Sequence, residues 1–469
     1  MTDALNPATL AALMDAAEDE AARQRAVVRA RNYHAGQHFV KLDSRLREFL
    51  KDSGGRDSDF LRLNVCRTVV TAVLERLMVA QVACQDAESA QLAADVWAAS
   101  RLGVQQDDLH EMVVRDGEAF LVLGVGAGGV STLVPHPRYT DADLPRFGGS
   151  TLGGDALVGD GYGVKAFYPD DDDSQPMLFA TKQWTEVRYV DGKRTTRRRL
   201  TVYYPDRIEK YAARGQWEQT RDEGDTAWPL PWVDRTGAPL GIPVIHVKNA
   251  GLACEAWEAI PLQNAINKLL IDLMTASDLT AFRILAAFGW MPTTDGAAPR
   301  ADGSNRLTLQ PGTFVGSTNE KGSLTAIDGA DLATILDPLN ALIAWTAMVT
   351  DTPVSRFVFT RQVASADTLK GQETPLVMKV RKRQALIGQA YADAMSLARR
   401  VRGTFGAPLG STEPYVCQWE PAETQDEPAE LDVIERKARL GVPQSVLWTE
   451  MGYTAEQVKG WQPTAQPVA

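Results

Sequence analysis

Two strongly apolar stretches, Trp257–Phe288 and Asp331–Thr350, carry the periodicity of a helix, and residues 289–330 between them do not. In the first, Leu262, Ile266, Leu269, Leu270, Leu273 and Met274 line one side. Lys268, Asp272, Thr275 and Asp278 form a polar stripe on the other, at steps of four, three and three. At 1.5 Å per residue, about 30 residues make a rod of roughly 45 Å. Between the two stretches, Pro292–Ser304 is loop-like, and Arg306–Ser317 with Ser323–Ile327 reads as a small strand pair. Two long helices around a β insert predict a hairpin whose tip projects. Their apolar stripes ask for more partners than a compact monomer supplies. Copies of the same chain can supply them, and heterologous contacts of that kind terminate by closing into a ring.

The segments before the hairpin change character once. Leu10–Arg31 reads as a helix stopped near Asn32 and Gly36, and Leu61–Val79 carries Leu63, Cys66, Val69, Val70, Val73, Leu74 and Leu77 at the spacing of a buried helical face. Ala87–Ser100 continues the helical pattern, with Gly103 as its stop. After Asp107 the pattern turns to strands: Ala119–Val125, Val130–Val134, Val164–Tyr168, Thr185–Val190, Arg199–Tyr204 and Ile208–Tyr211, with loops at Pro169–Ser174 and Glu223–Pro231. Beyond the hairpin, Thr352–Gly371 reads as a non-helical loop. Thr374 and Pro375 look like an N-cap and first-turn proline of a helix reaching Arg402. Short helices follow at Glu430–Leu440, Gln444–Met451 and Ala455–Trp461, the last with a Thr454/Gln457 capping box. The fold class expected is α+β with mainly antiparallel strands.

Chemistry-bearing motifs are scarce. Gly124-x-Gly126-x-x-Gly129 follows a strand, but Val130–Val134 leads into Pro135 and Pro137, which cannot open the phosphate-holding helix of a dinucleotide site; a hairpin turn fits. The chain has no phosphate-binding G-x-x-x-x-G-K-[ST] loop. His34 and His38 have zinc-ligand spacing, but Gly36 interrupts the helix between them and no catalytic Glu stands there. Asp170–Asp173 lacks the Gly and the terminal Glu of a calcium loop. Cys66, Cys84, Cys254 and Cys417 are scattered and read as free thiols. Neither cofactor nor metal is expected. Lys379, Arg381, Lys382 and Arg383 point in several directions around a helix and read as ion-pairing residues before a DNA-binding stripe. The net charge of −11 argues against tight, unspecific adhesion to DNA phosphates, which needs clustered Lys and Arg, but it does not exclude a channel that avoids sticking to what passes through it. Acidic residues after Met1, and apolar runs too short for a bilayer, lead us to expect a soluble, non-secreted protein without membrane partners.

Several stretches, taken in order, resemble the portal proteins of tailed bacteriophages, in the siphophage branch. They are Asn32–Gly36; Asn64–Val70 with Glu75–Leu77; Asp116–Val122; Gly241–Asn249 leading into Ile260–Asn267; and Ala364–Lys370. The resemblance spans residues 25–460, and the order and spacing of the pieces carry it. Asp367–Thr368 departs from the small residue found there in the family. The resemblance implies a wing at 1–255 and a stem helix at 256–289. It implies a clip at 290–329, a returning stem helix at 330–352 and a tunnel loop at 353–371. A spine helix at 372–403 and a wing return strand with helical crown at 404–469 complete it.

It also implies a non-enzymatic homo-oligomeric ring, twelve subunits being the family expectation. That ring would sit in the virion at one capsid vertex, after assembly in the host cytoplasm. Its partners would be double-stranded DNA, terminase, the capsid and scaffold proteins and a head-completion adaptor. In the tunnel loop, Arg356 and Arg361 could touch phosphates, Phe357 and Phe359 could pack on neighbouring loops, and Thr360 and Gln362 could make weak polar contacts. The competing reading of the loop buries both phenylalanines and pairs both arginines with acidic neighbours. A different structural ring, in a tail or gene-transfer particle, is the alternative for the whole chain. A nucleotide- or nucleic-acid-processing enzyme is disfavoured by the motif failures.

Overall fold

The computed structural model describes residues 18–38, 63–126, 130–140, 163–169, 172–190, 192–213, 217–281, 284–288, 323–327, 333–357, 366–423, 427–451 and 461. Helix α1 spans Glu18–His34 and α2 spans Val65–Leu74. Asn64 caps α2 by accepting from Arg67 N at 3.0 Å. Cys66, Val69, Val70 and Val73 are fully buried along one face, as their spacing predicts. The helix stops five residues short of Val79, because the Gln106 side chain takes the Val79 N–H at 3.0 Å and draws it into strand β1 (Val79–Ala83). A second correction follows at Gly103. Helix α3 (Ala87–Ala99) ends at Ser100, Arg101 turns the chain in a left-handed conformation, and α4 (Leu102–Asp116) begins at once, with Gly103 inside it. Leu102, Leu109, Val113 and Val114 give α4 a fully buried face.

Gly117 ends α4 at φ +94°, and a Cβ there would lie 2.3 Å from Leu252 O, so only glycine permits the immediate entry into β2 (Glu118–Val125). β2 is the middle strand of an antiparallel sheet between β3 (Ser131–Pro137) and β10 (Val244–Lys248). The β2–β3 hairpin is the one expected at Gly124–Gly129, and Gly126 N donates to Val130 O at 2.8 Å across it. A larger antiparallel sheet runs β4 (Gly163–Phe167), β5 (Phe179–Val190), β6 (Lys193–Tyr203), β7 (Arg207–Ala213), β8 (Trp217–Gln219), with β9 (Leu230–Pro231) also on β7. β5 and β6 are longer than their apolar alternation indicated.

After the sheets come α5 (Ala259–Ala281), β11 (Ile284–Phe288), β12 (Ser323–Ile327), α6 (Ala333–Val349), a 3₁₀ turn (Val354–Arg356) and α7 (Ala366–Phe405). β13 (Val416–Trp419), α8 (Glu427–Arg439) and α9 (Gln444–Glu450) follow. β13 returns to pair antiparallel with β1. The helix expected to reach Phe288 ends at Ala281, and its last residues form β11, the partner of β12. Arg306–Ser317, residues 455–460 and the Thr454/Gln457 box lie outside the described residues. α7 begins eight residues before Thr374, so Pro375 sits inside it. Gly371, Gln372, Thr374 and Pro375 are exposed there, and water can satisfy the carbonyl that the proline ring leaves unbonded. Farther along, Leu376, Val380, Ile387, Tyr391, Met395, Ala398 and Val401 run through the main apolar core, joined by residues of α2, α3, α4, β2 and β10. The fold is α+β, as expected.

Candidate functional site

Helices α5 and α6 pack on each other, and the β11–β12 ribbon closes their common end in the register Ile284↔Ile327 to Phe288↔Ser323. Their shared seam is a separate apolar cluster: Ile266 and Leu270 from α5, Leu339 and Ile343 from α6, and Val65 from α2. Phe357, Leu269 and Leu342 cover it as half-buried neighbours. α6 has a single charged residue, Asp337, and is apolar nearly all round. A helix that is apolar nearly all round is ordinarily buried on every side. In the single chain, Leu336, Trp345, Met348 and Val349 remain in water, with Met348 70% exposed.

The base of α5 is fastened by polar groups that periodicity misplaced. The expected apolar stripe puts Leu262, Leu269 and Leu273 inward, yet these are only half-buried, whereas Gln263 and Asn267 are fully buried. Gln263 Oε1 accepts from Val65 N at 2.8 Å and Cys66 N at 3.4 Å, satisfying the first turn of α2. Its Nε2 donates to Leu63 O at 2.5 Å and Asn267 Oδ1 at 2.9 Å. Asn267 Nδ2 then donates to His38 Nδ1 at 3.1 Å, which leaves His38 Nε2–H to donate to Tyr33 O at 3.0 Å. Beside this chain the Tyr33 hydroxyl donates to Asn264 Oδ1 at 2.6 Å. The usable sequence signal was three carboxamides at positions 263, 264 and 267 inside an apolar helix. Gln263→Met should lower the unfolding free energy by about 2 kcal/mol, since it keeps the volume and strands several buried groups. A loss below about 0.5 kcal/mol in denaturant titration would show that α2 has another cap.

On the opposite side of α5, Lys268 and Asp272 face each other at 3.5 Å, both well exposed, and Thr275 Oγ1 donates to Ile271 O at 2.9 Å. The stripe is thus largely self-neutralised. The side chain of Asp278 lies outside the described residues. After α6, Thr352 is buried and donates its N–H to Ala347 O at 3.0 Å, while Lys379 Nζ donates to Thr350 O at 2.7 Å. Arg356 pairs with Glu75 at 2.5 Å at the end of α2, and Phe357 packs on the seam. Phe359, Thr360, Arg361 and Gln362 lie outside the described residues. Residues 366–371, expected as loop, are the first turns of α7.

Lys379, Arg381 and Arg383 of the basic run of α7 are engaged within the chain. Lys379 and Arg383 both reach the nearly inaccessible Glu255 carboxylate, at 2.9 and 2.5 Å, and Arg381 pairs with Glu423. These cations hold Glu255 below the ordinary carboxylate range despite its burial. A second buried carboxylate, Glu118 at the start of β2, gathers Arg23, Arg138 and His246. His34 faces Glu111 at 4.0 Å, and both His38 nitrogens are bonded elsewhere, so the two imidazoles share no site. Among the described residues no group of His, Cys, Asp and Glu could hold a metal ion, and no helix is long and apolar enough to cross a membrane. Burial pushes the thiols of Cys66, Cys254 and Cys417 up to about 12, which leaves them protonated and unreactive at neutral pH. The ionisable groups brought together are therefore structural clamps, and the outer face of α6 is an exposed apolar surface among the described residues.

A family model described as "Phage portal protein, SPP1 Gp6-like" matches residues 164–462, which include the larger sheet, β10, the whole hairpin and α7. No curated protein matches the chain.

Proposed function

The chain belongs to the phage portal proteins of the SPP1 Gp6-like family, and we propose that its copies close into a ring whose channel passes double-stranded DNA at one capsid vertex. As a member of that family it is a structural component of a phage. In the proposed ring, 1–255 and 404–469 form the wing, its return strand and the crown. Residues 256–289 and 330–352 form the stem, 290–329 the clip, and 353–371 the tunnel loop, whose last residues from 366 already belong to the helix that continues as the spine at 372–403. The clip would dock terminase during packaging and a head-completion protein afterwards, and the wing would meet the capsid and scaffold. Arg356 and Phe357 would anchor the tunnel loop to α2 and the hairpin seam, leaving Phe359, Thr360, Arg361 and Gln362 to meet passing phosphates.

The observation that carries the reading is the outer face of α6. Trp345, Met348 and Val349 stay exposed there, on a helix that has almost no charge of its own. Burying a side chain of that size is worth roughly 1.5–3 kcal/mol, so a neighbouring stem on this face would stabilise each contact of the ring substantially. Negative-stain microscopy of the purified protein should show rings with a central hole. Trp345→Asp with Met348→Asp should yield a monomer that keeps its helical circular dichroism. The reading fails if light scattering at micromolar concentration and several ionic strengths finds only a 51.2 kDa species while capsids contain no ring. It also fails on its α6 argument if the double variant assembles as the parent does.

A further inference from the structure

The β5–β6 hairpin extends past the rest of its sheet. β4 pairs with β5 only at Phe179–Gln183, and β7 pairs with β6 only at Arg198–Tyr203. From Thr185 to Val190, and from Lys193 to Arg197, the two strands are bonded to each other and to no other described strand. At about 3.3 Å per residue this leaves a two-stranded ribbon roughly 17 Å long, with no described strand on either edge. Its charge is opposite to that of the chain. Lys193–Arg199 holds five cations in seven residues, in a protein of net charge −11.

Two of those cations belong to the sheet. Arg199 is buried and pairs with Asp222, and Arg198 lies over the Trp217 ring at 5.2 Å. The other three, Lys193, Arg194 and Arg197, have no ion-pair partner among the described residues. The register places Arg194 across from Tyr189, which is 74% exposed, and Arg197 across from Glu186. Because side chains alternate along a strand, Lys193 and Arg197 stand on one face and Arg194 with Tyr189 on the other.

We propose that this ribbon docks the phosphate backbone of duplex DNA on the outside of the protein. The major groove admits a two-stranded β-ribbon, and its two phosphate walls face whatever enters between them. Cations on both faces of a narrow ribbon meet that arrangement. A protein partner would instead be expected on one face with an apolar centre. Tyr189 adds a hydroxyl and a ring at the groove wall. The contact carries no sequence information, because phosphates are the same at every step. The proposal does not rest on the ring: a monomer bears the same ribbon.

The test uses the full-length protein and a covalently closed circle of duplex DNA, which cannot thread a channel. Binding is followed by filter retention between 50 and 300 mM salt, and assembly by sedimentation. The parent should bind the circle with a log K that falls steeply with log salt. The triple variant Lys193→Gln, Arg194→Gln, Arg197→Gln should bind at least tenfold more weakly at 100 mM salt, with a slope flatter by about 2.7, or 0.9 per lost phosphate contact. Its sedimentation should match the parent's. Each single variant should flatten the slope by about 0.9, which keeps the test decisive should the triple variant fold poorly. The proposal is overturned if the parent does not retain the circle, or if the variants retain it with the parent's affinity and slope. It is equally overturned if they leave DNA binding intact and change assembly, because the ribbon then meets an acidic surface of another copy.

Discussion

Glu118→Gln is expected to lower the unfolding free energy by about 3–5 kcal/mol, among the largest effects a single side chain can have here. The Glu118 carboxylate is wholly buried. Arg23 Nε reaches it at 2.6 Å, His246 Nε2 at 2.7 Å and Arg138 Nη1 at 3.3 Å. These groups come from α1, from β10 and from the chain just after β3, so one carboxylate ties three elements to β2. Burial alone would raise its pKa, but Arg138, His246 and Arg23 outweigh that and hold it far below the ordinary carboxylate range. The amide of Gln keeps the shape and removes the charge, leaving two arginines facing each other in a poorly solvated site. Urea titration at pH 7 measures the loss, and a value under about 1 kcal/mol would mean that the arginines find water when the carboxylate is gone. A depressed carboxylate stabilises the folded state above its ordinary value near 4.5, and that contribution is lost as pH falls below it. The Gln variant should therefore lose less stability than the parent on acidification below pH 4.5.

His110 gives a second pH dependence in a different window. It is buried in α4, its Nδ1–H donates to Leu77 O at 2.8 Å, and Nε2 accepts from the Tyr391 hydroxyl at 3.2 Å. Trp419 and Tyr391 cover the ring. Burial lowers its pKa from 6.5 to about 4, the Leu77 carbonyl opposing only in part. Between those two values the unfolded chain takes up a proton that the folded chain refuses, so stability falls as pH drops from 6.5 to 4 and levels below that. At 1.36 kcal/mol per pH unit the loss through this one group is about 3 kcal/mol. His136, lowered to about 4 by burial and by Lys182, adds to it in the same window. His110→Asn preserves a donor toward Leu77 O and cannot titrate. It should be less stable than the parent at pH 7.5 and show a flatter decline between pH 6.5 and 4. An unchanged decline would assign the titration to other groups.

The competing accounts of the segment after α6 differ in how many of its side chains the single chain satisfies. Arg356 and Phe357 already have partners in Glu75 and the hairpin seam. The sequence shows these as an arginine and a phenylalanine in a loop, which fits either account. The difference lies in a carboxylate far earlier in the chain, which no local pattern reports.

What the amino-acid order determined by itself was local. Repeats of three and four gave α2 its buried face and marked α3, α6 and α7 as helices, glycines 124 to 129 turned a hairpin, and the succession of pieces disclosed the family. The physical reason is that periodicity and backbone freedom are properties of neighbouring residues. Tertiary structure alone decided which surfaces and polar groups met. It took the last residues of an expected helix as β11 because β12 offered them a ladder, and it carried α7 back through Pro375. It turned Gln263 and Asn267 inward because Val65, Leu63 and His38 needed hydrogen bonds there. It also drew Arg23, Arg138 and His246 onto Glu118. A buried polar group is stable only beside its complement, and that complement can stand anywhere along the chain.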